Sequence, residues 1–324
     1  MTLHGHLLIL VSIFSALSLF VFWAFWGAAF YYRHVQIKKV FSGPIYFPHI
    51  RSQFKVIEGC RLHYLKEGTG QDILLLHGLG ANIYCWRKII PLLAQHYRVW
   101  AMDLKGFGLS DKPRNSPYTL EAQSSLLAKF MESEKVKKLT VVGNSMGGAI
   151  AIQLGIDRPD LAQHIVLINS AHDPKMFNTQ LRTFVKFMKA AVPAVGLFAP
   201  VVNEKSVRFY LPKIYGNENY EITTEDVRAY VAPYMEGTES HRAFVAAFEG
   251  MLWNNLTEHL KSIQSRVLIL WGARDNLLPV KYGEVLHKSL PQSAYFVHPT
   301  GGHHLQEEEP EWVAEHIEKF LGPQ

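Results

Sequence analysis

Six short apolar runs, Ile73–Leu76, Val99–Met102, Leu139–Val142, Ile165–Ile168, Val267–Leu270 and Ala294–Val297, recur along this chain of 324 residues, with helical patterns between most of them. A strand that is apolar on both faces must be covered on both faces, so such runs belong in a parallel sheet with helices above and below it. The intervening periodicity predicts helices over Cys85–Ala94, Leu120–Glu132, Met146–Ile156, Lys281–Lys288 and Glu311–Phe320. That alternation makes the fold class α/β, a doubly wound, mostly parallel sheet. Ahead of it, Phe54–Ile57 and Arg61–Lys66 are short alternating runs joined at Glu58-Gly59, a pair that predicts a hairpin.

The rhythm breaks over residues 172–265, which show helical periodicity and no strand-like run. Phe177, Phe184, Phe187, Met188, Phe198, Phe209, Phe244, Phe248, Met251 and Trp253 give this insertion more aromatic and Met side chains than a solvated linker carries. Most are expected to pack among themselves, and a minority to wall a pocket beneath a helical cap. The resulting division is an N-terminal segment over 1–40, a linker over 41–52 marked by Gly43, Pro44 and Pro48, core parts over 53–171 and 266–324, and the cap between them.

The N-terminal segment has its own logic. The 26 residues from Leu7 to Tyr32 contain no charge, and as a helix they would reach across a hydrocarbon core about 30 Å thick with some tilt. Trp23, Trp26, Tyr31 and Tyr32, then Arg33, Lys38 and Lys39, form an aromatic belt and a basic flank. The rival is a cleaved secretory signal ending near Gly27-Ala28-Ala29, but its basic leading region is missing, since only His4 and His6 precede the apolar run. The segment is therefore expected to be a single-pass transmembrane anchor. Its cations lie almost wholly on the C-terminal side, which predicts that the rest of the chain faces the cytosol.

The net charge is +5. Arg51, Lys55 and Arg61 join the flanking cations near the anchor, so the excess is read as attraction to an anionic bilayer. With no groove-reading motif, nucleic acid is not an expected partner. Two cysteines, Cys60 and Cys85, are too few for a disulfide scaffold. The sixteen histidines include no H-E-x-x-H pair, so no metal is expected.

Chemistry enters at Gly143-Asn144-Ser145-Met146-Gly147-Gly148, which follows the run Leu139–Val142 and opens a helical pattern. A strand, a G-x-S-x-G turn and a helix make a nucleophile elbow, with small residues where a strained turn brings backbones together. The helix starting at Met146 aims its free N–H groups and positive dipole end at that serine.

From about Phe54 onward, the insertion apart, the sequence resembles the α/β-hydrolase superfamily, and several motifs besides the elbow carry the likeness. His77-Gly78-Leu79-Gly80 looks like the family's oxyanion loop, which implies that the N–H of Leu79 joins that of Met146 in holding a tetrahedral oxyanion. Asp103-Leu104-Lys105-Gly106-Phe107-Gly108-Leu109-Ser110-Asp111-Lys112-Pro113 resembles a structural tight turn of the family. Asp275, in Trp271-Gly272-Ala273-Arg274-Asp275, occupies the family's acid position, with Asp173 as the rival. His303, with Glu308 five and Pro310 seven positions later, satisfies the spacing of the family's histidine; His304 does not, and reads as an ordinary loop residue.

The resemblance thus implies a Ser145–His303–Asp275 triad with no cofactor. Epoxide hydrolases and haloalkane dehalogenases of this superfamily place an aspartate at the elbow, so Ser145 excludes their mechanism. The Gly-Asn-Ser-Met-Gly-Gly string is similar to hydrolases that cleave carbon–carbon bonds of ring-fission products. The oxyanion loop here is shorter than theirs, however, and His304 replaces their usual tryptophan. An anchored site gains concentration for substrates that partition into lipid. The expected substrate is accordingly a lipophilic acyl ester, monoacylglycerols among the candidates. Carbon–carbon hydrolysis and a non-catalytic receptor on the same fold are the alternatives.

Overall fold

A computed structural model of the chain describes residues 51–322, apart from 178–181, 184–185, 187–203, 236, 255 and 291. The expected anchor over 1–40 lies outside the described residues, as do nearly all of the linker and Phe184, Phe187, Met188 and Phe198. Among the described residues no helix is long and apolar enough to cross a membrane.

The chain opens with β1 (Gln53–Ile57), β2 (Cys60–Glu67) and β3 (Asp72–Leu76), then a 3₁₀ turn at Ile83–Trp86, α1 (Ile90–Leu93) and β4 (Arg98–Met102). Next come α2 (Leu120–Ser133), β5 (Leu139–Asn144), α3 (Met146–Asp157) and β6 (Ala162–Ile168). The described part of the insertion holds a 3₁₀ turn at Pro174–Met176 and helices α4 (Glu204–Ile214), α5 (Thr224–Met235), α6 (Thr238–Leu252) and α7 (Leu256–His259). The core resumes with β7 (Arg266–Gly272), α8 (Lys281–Ser289), β8 (Ala294–His298), α9 (Leu305–Glu308) and α10 (Pro310–Leu321). The eight strands form one sheet in the order β1-β2-β4-β3-β5-β6-β7-β8. Only the β1–β2 and β2–β4 pairs are antiparallel.

Every expected strand is present. The hairpin turns at Glu58 and Gly59, both at positive φ (49° and 76°), the geometry of a type I′ turn whose twist matches its strands. The central strands are buried along nearly their whole length and divide their side chains between two cores, as a covered sheet requires. Leu74 and Leu76 of β3 pack with α2 and α3 on one face, while Ile73 and Leu75 pack with α1 and α10 on the other. Each fully buried aliphatic side chain contributes about 1.5–3 kcal/mol.

One helix differs from expectation. Instead of a continuous helix over Cys85–Ala94, the chain makes a 3₁₀ turn and restarts as the short α1 with Pro91 in its first turn. Proline has no N–H to donate and its ring clashes with the carbonyl four residues back, so a helix begins around it but does not run through it.

The parallel strands β3, β5, β6, β7 and β8 all end on the same edge of the sheet, and there the chain leaves the core through His77-Gly78, Ser145, Asn169, Asp275 and His303. The carboxyl edge of an open α/β sheet is where such folds place their sites.

Candidate active site

Ser145 sits between β5 and α3 at φ 55° and ψ −117°, a region that L-residues occupy at a cost of about 1–3 kcal/mol. Its neighbours explain how the turn is tolerated. A Cβ on Gly147 would lie 2.1 Å from the carbonyl oxygen of Leu76, and one on Gly143 would lie 2.2 Å from that of Gly147. With hydrogen in both places, β3 and α3 close on the turn and lift the serine out of the strand. The Ser145 N–H is anchored by the carbonyl of Ile168 at 3.0 Å.

Asp275 and His303 meet in a buried hydrogen bond, with Nδ1 of His303 2.7 Å from Oδ2 of Asp275. The same Oδ2 accepts from Nδ2 of Asn169 at 2.6 Å, and Oδ1 accepts the N–H groups of Leu277 and Leu278 at 2.8 and 2.7 Å. Three N–H donors thus converge on the carboxylate besides its contact with His303, and with Nδ1 turned to Asp275, Nε2 is the ring nitrogen left for proton transfer. Asn169, at the end of β6, was not singled out in the sequence, where only its place after an apolar run could have drawn attention. The backbone of His303 is pinned from two sides: its N–H donates to the carbonyl of Ile214 at 3.0 Å, and its carbonyl accepts from Nδ2 of Asn144, next to Ser145, at 2.9 Å. Asp173 instead caps its own 3₁₀ turn, accepting the Lys175 N–H at 2.8 Å.

The loop after β3 lies against the serine: a Cβ on Gly78 would be 3.1 Å from Cβ of Ser145. Among the described residues neither the Leu79 nor the Met146 N–H has an acceptor. His77 braces this loop, since Nδ1 lies 2.8 Å from the Gly78 carbonyl while Nε2 accepts the Leu104 N–H at 3.0 Å. That pairing places the proton on Nδ1, and burial depresses the pKa of His77 and keeps it neutral. The Asp103–Pro113 segment is structural, as expected. Asp103 accepts the Ile83 and Leu109 N–H groups at 2.8 Å and lies 2.7 Å from Nδ1 of His63. Gly106 and Gly108 turn the chain at positive φ.

Residues 73–310 match the family model described as the alpha/beta hydrolase fold. The chain belongs to this family. An uncharacterised hydrolase of Bacillus subtilis, YugF, is 30% identical over 270 residues, covering 80% of this chain and 92% of the relative. A 2-hydroxy-6-oxo-6-(2'-aminophenyl)hexa-2,4-dienoic acid hydrolase of Metapseudomonas resinovorans is 29% identical over 269 residues, covering 81% of this chain and 88% of the relative. Among solved structures, a membrane phospholipase A described as a bacterial virulence factor superposes with a TM-score of 0.68 at 24% identity, covering 98% of each chain. That last likeness concerns the fold alone.

Beside the candidate triad this α/β-hydrolase holds a buried polar network whose extent the sequence did not reveal. His304 sits in the expected loop, but it is buried, with Nδ1 2.9 Å from Oε1 of Glu307. The carboxylate of Glu307 also accepts from the Tyr215 hydroxyl at 3.0 Å, from the Tyr230 hydroxyl and from Arg87. Arg87 reaches Asp226 at 2.6 Å and the Tyr220 hydroxyl at 2.8 Å. Burial opposes the Glu307 charge, but His304 and Arg87 outweigh it and hold the pKa at about 2. The adjacent Glu308 accepts the N–H groups of Gly216 and Asn217 at 2.8 Å and of Gly302 at 3.0 Å. Helices of the insertion are thereby tied to the loop that carries His303. The only advance signals were the i, i+3 spacing of His304 and Glu307 and the family position of Glu308.

Proposed function

We propose that this hydrolase is a membrane-anchored serine esterase that cleaves lipophilic acyl esters through an acyl-enzyme on Ser145. The observation that carries the reading is the buried 2.7 Å contact between His303 and Asp275, on the sheet edge where Ser145 is held at positive φ. Ser145 Oγ attacks the acyl carbonyl and gives its proton to Nε2 of His303; Asp275 stabilises the imidazolium through Nδ1. The Leu79 and Met146 N–H groups receive the oxyanion, each such donor contributing about 3 kcal/mol to the transition state. His303 then protonates the departing alcohol, and water repeats the cycle on the acyl-enzyme.

Two features support a lipid substrate. The apolar Leu7–Tyr32 segment with its aromatic and basic flank acts as the anchor, and holds the domain on the cytosolic face of a bilayer. The insertion over 172–265 acts as a cap: Phe244 and Phe248 pack against the larger core, and Phe244 lies against Gly80 of the loop after β3. Phe209 and Trp253, by contrast, are exposed, so only part of the insertion's aromatic content serves the pocket.

A fluorophosphonate probe tests the reading. Wild-type protein should label and the Ser145→Ala variant should not, and p-nitrophenyl esters of increasing acyl length should show a chain-length optimum. Folded wild-type protein that does not label would refute it and favour a receptor. The relative from Metapseudomonas resinovorans supports a second reading, carbon–carbon hydrolysis. Faster turnover of a dienoate ring-fission product than of any acyl ester would establish that reading instead.

A further inference from the structure

β6 ends at Ile168, which pairs with Asn144, the last residue of β5. The residues that follow, Ser145 and Asn169, occupy equivalent places on the two neighbouring strands, and both turn at positive φ, 55° and 46°. The stretch 168–171 holds the backbone of the serine from both sides: the Ile168 carbonyl accepts the Ser145 N–H at 3.0 Å, and the Ala171 N–H donates to the Ser145 carbonyl at 3.1 Å. Between those two contacts the fully buried side chain of Asn169 reaches the acid, with Nδ2 2.6 Å from Oδ2 of Asp275. That oxygen is the one that meets Nδ1 of His303 at 2.7 Å. One short segment therefore touches both the nucleophile and the acid.

Two local features disfavour Asn169 on their own. A residue with a Cβ is strained at positive φ, and Oδ1 of this amide is buried without a hydrogen-bond partner among the described residues. Turning the amide over would set Oδ1 against a carboxylate oxygen, so the observed orientation is the one that suits the acid. Nor is the side chain needed to join β6 to β7, since the Asn169 N–H already donates to the Leu270 carbonyl at 3.0 Å. The geometry points to Asn169 as a positioning residue that acts through Asp275, fixing the carboxylate against His303 and drawing charge from the oxygen that the imidazole shares. This inference rests on the triad reading above. The Leu277 and Leu278 N–H groups hold Oδ1 of Asp275, whereas Oδ2 has only Asn169 besides His303 among the described residues. Without the amide, Oδ2 loses its second anchor, and its unshared charge holds the protonated form of His303 more firmly.

The test follows the rate at which the full-length protein is labelled by a fluorophosphonate across about pH 5–9, where the acid limb reports loss of the free base. Asn169→Ala and Asn169→Gly both remove the amide, but only glycine suits φ 46°, so the glycine variant should melt higher. Both should label about tenfold more slowly at saturating probe, the worth of one hydrogen bond to a charged group, with an unchanged half-saturating concentration. In both the acid limb should move to higher pH by about half a unit or more. The titratable groups around His303, which are Asp275, His304 and, on the flanking N–H groups, Glu308, are the same in every variant. Rates within about twofold of wild type overturn the inference. So does slower labelling with an unmoved acid limb, or a wild-type rate in the glycine variant, either of which would make the residue a structural one. Folded wild-type protein that does not label defeats the triad reading and this inference together, whereas labelled wild type with unaffected variants defeats only the role of Asn169.

Discussion

Replacing Glu307 by Gln should cost the fold about 3 kcal/mol at neutral pH, and the structure supplies the magnitude. The free carboxyl value of 4.5 falls to about 2 in the fold, a difference worth about 3 kcal/mol at 1.36 kcal/mol per unit. Breaking a buried pair from one side costs a similar about 3–5 kcal/mol, since Arg87 is left without part of its counter-charge. The sign follows from the depressed pKa. A carboxyl that ionises more readily folded than unfolded contributes its full stability above the unfolded value and loses it as pH falls through the folded one. Urea unfolding of wild type and Glu307→Gln should therefore differ by about 3 kcal/mol at pH 7 and converge between about pH 5 and pH 2. Other carboxylates titrate in both proteins, so the difference isolates Glu307. A gap under about 1 kcal/mol at neutral pH, or one that persists undiminished in acid, would refute the claim that this charge holds the network.

Two further outcomes follow from the site. Asp275→Asn should fold but lose about ten-thousandfold in kcat, because an amide facing His303, Asn169 and two backbone N–H groups favours the wrong imidazole tautomer; ester turnover within tenfold of wild type would exclude Asp275 as the acid. Gly147→Ala drives a Cβ to 2.1 Å from the Leu76 oxygen, an overlap of rigid backbone that should cost about 2 kcal/mol or more, so soluble protein with a wild-type melting temperature would show that the elbow has slack.

What the sequence disclosed and what it hid divide along physical lines. Runs such as Val141–Val142 and Ile165–Ile168 announced their strands because a doubly covered sheet leaves no polar side to confuse the signal. The elbow was legible because its glycines answer a steric demand confined to six consecutive residues. Pro91 was visible, but its effect on Cys85–Ala94 depended on whether packing would favour a restart over a kink. The Glu307 network was illegible, since Tyr84, Arg87, Tyr215, Tyr220, Asp226, Tyr230, His304 and Glu307 come from four separate stretches whose meeting only the tertiary structure creates.

The division between core and insertion also bears on where substrate choice resides. Ser145, Asp275 and His303 leave β5, β7 and β8, and their geometry is set by strands that cannot shift without breaching two cores. The helices of the insertion meet that frame at a few polar points: Ile214 on the His303 N–H, Gly216 and Asn217 on Glu308, and Tyr215, Asp226 and Tyr230 in the Glu307 network. These contacts fix the cap without drawing on the sheet, so the insertion can carry a different pocket wall while the chemistry beneath it stays the same. A change in that wall should alter which substrate is chosen, whereas a change at Asp275 should slow every substrate alike.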